Sequence, residues 1–257
     1  MSNFNNSNTK TPFKRLLVVG QISGLIAGIA TVLLGSVFAL PPDLARAISN
    51  PNAEVDPAEV EMHDRRIVRN NTALCAAVAG AVALGLISCA MSPFSPPKVV
   101  AAIFVGLLAG LAGGIAGTML WQSLVDNQVW VAPGPDTSTP AAVSNAVIWL
   151  IIGISAGGLL CEQQRLTGSL AGGLGGSLGS ILFVVLTTLV LASVRTDAPL
   201  PAQLDGSPWI VARVLWAALP IGLIAFLIAH ANSDSAQKST SDLTENTDEI
   251  LPEQTQP

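Results

Sequence analysis

The chain has 257 residues, half of them hydrophobic and only 11% charged, with a formal net charge of -5, whereas an ordinary soluble domain carries about 25% charged residues. A soluble protein of this length has to cover its surface with polar groups, while one solvated by lipid does not; the mean hydropathy of +0.57 fits the second solvent. Neither a water-soluble globular domain nor a nucleic-acid partner suits this balance, and no CxxC or Cys/His cluster suggests a metal or cofactor site.

Residues 1–15 are Ser/Asn-rich and end in Lys10, Lys14 and Arg15; with little to bury they are expected to be disordered. Six stretches then approach or exceed the roughly 20 apolar residues that carry a helix across a bilayer. They lie at about 16–40, 72–91, 99–120, 141–161, 169–194 and 210–230, none contains Asp, Glu or Lys, and Arg213 lies one turn into the last. The first is longer than the 7 to 15 residues of a signal h-region, so it is expected to remain as a span.

Pro41 and Pro42 stop that first helix. The run Pro41-Pro42-Asp43-Leu44-Ala45-Arg46 fits P-x-[DE]-x-x-[RK] and resembles the mitochondrial carrier signature, a family in which the motif follows all three odd helices and its charged pairs close a gate. Here the third span is followed by WQSLVDNQ and the fifth by VRTDAPLP. One copy in three implies no such gate.

Asp56-Pro57-Ala58-Glu59 reads as a helix start, with Asp56 as N-cap and Pro57 at the first helical position. Glu61 and Arg65 make a favourable i,i+4 pair, so a short polar helix should lead into the second span. Cys75 and Cys89 on that span would stand about 21 Å apart at 1.5 Å per residue, beyond disulfide reach. Both, with Cys161, read as buried spectator thiols.

The longer connections follow the first, third and fifth spans, and those spans carry the densest glycine spacing. This alternation resembles three copies of a Gly-rich helix, a loop and a plainer helix. An even number of spans places both termini on one side. The three basic residues before the first span, and Trp121, Trp130 and Trp209 gathered on the opposite side, favour a cytoplasmic location for the termini in a cell membrane. The tail 231–257, with Lys238 against six acids, is expected to be disordered.

The stretch GSLAGGLGGSLGS at 168–180 invites three readings. A dinucleotide fingerprint starting at Gly173 and Gly175 needs a third glycine at 178, where Leu178 stands, and no Lys completes a Walker loop. A Gly/Ser linker would not run unbroken into ILFVVLTTLVLASV. Four-residue spacing puts Gly168, Gly172 and Gly176 on one side of a helix, and rows recur at Gly20, Gly24, Gly28, at Gly106, Gly110, Gly114, at Gly153, Gly157 and at Ala218, Gly222. In lipid, helices associate through close backbone approach, which small residues permit. These rows predict an all-α integral membrane protein whose six helices form a Gly-rich, close-packed bundle, with the contacts made within one chain or, as the alternative, between chains.

Gly153-Ile154-Ser155-Ala156-Gly157 matches G-x-S-x-G, and with His230 it resembles the Ser and His of rhomboid-type intramembrane proteases, carried on the fourth and sixth of six helices. Such a dyad needs hydrogen-bond reach, yet Ser155 lies roughly 9 Å inside its helix and His230 at a boundary, so Ser155 is expected to bond to its own helix. For transport, no ionisable group lies at depth to act as a relay; Gln21, Ser23, Asn145, Thr187 and Thr188 are the most polar positions, and interhelical hydrogen bonds are their expected role. The sequence therefore points to a non-enzymatic structural or interaction component of a membrane. A channel or small-solute transporter is the alternative, and an intramembrane hydrolase the remote one. The expected partners are the lipid bilayer and either another membrane protein or a second copy.

Overall fold

A computed structural model describes residues 10–34, 37–50, 53–91, 95–129, 138–161, 164–190, 200–201 and 210–248. The described residues form helices and connecting turns without strands. These helices are α1 (Lys10–Leu34), α2 (Pro42–Ser49), α3 (Pro57–Met91), α4 (Pro96–Asp126), α5 (Ser138–Leu160), α6 (Arg165–Val190) and α7 (Ile210–Asp248). All but α2 are long and apolar enough to cross a membrane. The architecture is that of a multi-pass helical membrane protein.

The helix ends depart from the sequence expectation in instructive ways. The first span stops at Leu34, not Leu40, because the Asn71 side chain of α3 accepts from the Phe38 backbone N–H and donates to the Phe38 carbonyl, each at 2.9 Å. That amide satisfies a peptide group which would otherwise have continued the helix. The polar lead-in and the second span are one continuous helix, α3. Its start is capped by Asp56, whose carboxylate accepts from Ala58 N–H at 2.9 Å, and Arg65 pairs with Glu61 at 2.6 Å, as the i,i+4 spacing requires. At the other end of the chain α7 continues past His230 to Asp248, through a segment whose composition favours disorder. Extending an existing helix costs no new nucleus.

The six long helices close into a ring in the order α1, α3, α4, α5, α6, α7, with α7 returning to α1, while α3, α5 and α7 also touch one another across the middle. Three helices are thus inner and three outer. Nearly all of the largest fully buried side chains belong to the inner trio: Leu84 and Ile87 from α3, Ile148, Trp149 and Ile152 from α5, and Trp216, Ile221, Ile224 and Ile228 from α7. The outer helices bury their small residues instead. Along 20–29 of α1 and 106–118 of α4, two buried positions alternate with two exposed ones.

That polarity is inverted relative to a soluble protein. Leu108, Leu170, Leu174 and Leu178 are each more than half exposed, whereas the glycines between them are buried. Water would penalise such continuous apolar faces, and lipid does not.

Candidate functional site

The glycine rows are the sequence feature with the clearest geometry. On α1, a Cβ placed on Gly24 would fall 2.6 Å from Ala218 Cα and one on Gly28 2.6 Å from Val214 Cα, while Gly20 faces the Ala225 side chain, all on α7. On α4, Gly106 faces Gly80 O, Gly110 faces Ala76 O, and Gly114 would place a Cβ 2.5 Å from Ala73 Cα, all on α3. On α6, Gly172 opposes Gly153 and Gly168 opposes Gly157 of α5, and Gly176 meets Trp149 O. Each row of an outer helix therefore lies against one inner helix of the same chain.

A second set of small residues completes the pattern. Gly113 and Gly117 of α4 meet α5 at Ile148 and Ser144, and Gly175 and Gly179 of α6 meet α7 at Ile224 and Pro220. On α1 the equivalent buried positions are Ser23, Ala27 and Thr31. The three outer helices then align residue for residue: GQISGLIAGIAT (20–31), GLLAGLAGGIAG (106–117) and GSLAGGLGGSLG (168–179). The repeat inferred from pattern alone extends to aligned positions, and the signal was present in these segments. Each outer helix carries two adjacent small rows because it sits in the groove between two inner helices, where a wide small face is needed for both backbones to approach.

The shorter row at Ala218 and Gly222 divides. Ala218 is the surface against which Gly24 rests, but a Cβ on Gly222 would meet nothing within 4 Å. Gly222→Ala is accordingly expected to be neutral or to stabilise by up to about 1 kcal/mol through helix propensity, read as an unchanged or raised midpoint in thermal unfolding of the purified protein.

Polar groups inside the bundle are largely tied to backbone. Ser155 Oγ donates to Ile151 O at 2.9 Å, so this hydroxyl bonds back to its own helix, and His230 is exposed. Ser23 and Thr187 likewise donate to their own helices, Gln21 is exposed, and Asn145 accepts from Trp216 Nε1 at 2.8 Å. Trp130, Trp209 and the Thr188 side chain lie outside the described residues. Cys75 and Cys161 are buried and Cys89 partly so, all as free thiols.

At the end of the bundle bearing α2, Arg65 makes a two-pronged contact to Asp126 at 2.6 and 2.7 Å, linking α3 to α4. Both side chains are about 40% exposed, so water and salt screen the pair and its contribution is small. A groove of about 770 Å³ opens beside it, walled by Ile48, Val55, Val60, Trp121 and Val125. The Asp43–Arg46 pair of the carrier-like motif spans 3.6 Å within α2 and is almost wholly exposed, a local i,i+3 contact. Comparison with protein-family models, with curated proteins and with solved structures returns no match.

Proposed function

We propose that this multi-pass protein is a non-enzymatic structural or interaction component of a cell membrane, held together by the glycine rows and presenting its leucine faces to lipid and to a membrane-protein partner or a second copy. The observation that carries the reading is the filling of the ring's centre. Trp149 and Trp216 pack with centroids 5.0 Å apart among fully buried isoleucines, where a conducting path would call for polar lining. The most polar side chain there, Asn145, is engaged by Trp216.

Two measurements test it. Proteoliposomes containing the pure protein are expected to pass a panel of ions and small polar solutes no faster than protein-free liposomes; a saturable flux of any of them overturns the reading in favour of a transporter. A photo-reactive residue at Leu174, on the exposed face of α6, is expected to yield a protein adduct of defined mass in native membranes. Adducts with lipid alone would leave no interaction role at that face.

A further inference from the structure

Among the described residues, Arg213 is the charged side chain that the fold buries, at 4% exposure. It stands one turn into α7, about 4.5 Å along the axis from Ile210, where α7 meets α1 and α3 at the α2 end of the bundle. Its Nη1 donates to Val32 O near the end of α1 at 3.3 Å. Nε and Nη2 are buried with no partner.

Those two nitrogens form one edge of the planar guanidinium, and that edge offers two parallel N–H groups at the spacing of two oxygens on one phosphorus or carbon. Among the described residues no protein group fills it. Cys75 Sγ lies 3.8 Å from Thr31 O as its donor; of the carboxylates at this end, Glu61 and Asp126 are taken by Arg65, Asp43 pairs with Arg46 and Asp56 caps α3. One turn before Cys75 on α3, Thr72 has a buried hydroxyl that also lacks a partner. The first backbone N–H groups of α7 have no intrahelical acceptor and place partial positive charge at the same end.

An uncompensated cation within a spanning helix is costly and marks a site of use. We propose that the Nε–Nη2 edge of Arg213, at the start of α7 between α1 and α3, is an oxyanion site that takes two oxygens of a phosphate group. The phosphate is carried by a phospholipid headgroup or is free in solution; a position one turn inside the apolar span lies close to headgroup depth.

The test is thermal unfolding of the purified full chain in maltoside micelles, with inorganic phosphate against chloride at equal ionic strength, and with added phosphatidylglycerol against diacylglycerol, which has the same tails but no phosphate. Phosphate-bearing ligand is expected to raise the midpoint of the wild type in a saturable manner. A response to phosphatidylglycerol but not to inorganic phosphate identifies the headgroup as the source, and a response to inorganic phosphate identifies the free anion. Arg213→Gln, which keeps a donor for Val32 O but loses charge and fork, is expected to weaken the apparent affinity by roughly ten- to a hundredfold, the range for a charged hydrogen bond. A wild type that melts identically with and without both ligands overturns the proposal without reference to any variant, as does an equal response from Arg213→Gln.

Discussion

Leucine at Gly172 is expected to keep α5 and α6 from closing, so that the variant is recovered as aggregate or with an unfolding midpoint far below that of the wild type. The reason lies in what stands opposite. A Cβ on Gly172 runs into the Gly153 carbonyl oxygen, and one on Gly176 into the carbonyl oxygen of Trp149. Backbone inside two packed helices cannot step aside as a flexible side chain would. Overpacking a core costs typically 1–3 kcal/mol, and four added heavy atoms against backbone on a helix also held to α7 through Gly175 and Gly179 place this case at or above about 3 kcal/mol. That is a large part of a total stability of about 5–15 kcal/mol.

The control is on the same helix. Leu174, two residues from each glycine, is 57% exposed, and Leu174→Ala should shift stability by less than about 1 kcal/mol because little of it is packed against protein. SDS titration of the three variants, read by helical signal and by the fraction eluting as a single species, separates the cases. If Gly172→Leu and Gly176→Leu elute and unfold as the wild type does, the glycines are not close-contact positions and the ring order built on them fails.

The spans were legible because length and apolarity suffice: nothing but a spanning helix accommodates six runs of that kind. Faces were legible for the same reason, since four-residue spacing assigns Gly20, Gly24 and Gly28 to one side of α1. Partners were not. The row on α1 meets α7 at the far end of the chain, at Ala225, Ala218 and Val214, and no local rule chooses these over the small residues of α3 or α5. Boundaries failed where a distant side chain decides them, as when Asn71 takes the peptide of Phe38 and ends α1 early. Arg213 shows a third limit: spacing placed it one turn into a span, but only the packing of α1 and α3 against α7 reveals that it is buried with two nitrogens of its guanidinium lacking a hydrogen-bond partner.

Trp216→Ala is the second substitution expected to have a large effect, about 3–5 kcal/mol, the range for removing a large aromatic side chain from a core. Trp216 is fully buried, stacks at a tilt on Trp149 and donates to Asn145, so it joins two of the three inner helices. The hydrogen bond is the smaller part. Removing its acceptor in Asn145→Ala takes away the partner of a buried indole N–H, while Trp216→Phe removes the donor and keeps most of the ring. A double-mutant cycle on this pair, measured by SDS titration, is expected to give a coupling of about 0.6 to 1.7 kcal/mol, the range found for hydrogen bonds between membrane helices. The comparison between the two results carries the physical point. If Trp216→Ala costs no more than that coupling, the centre of the ring is not packed by the tryptophans and an open interior returns as a reading; if it costs several times more, volume and not polarity holds the inner trio together.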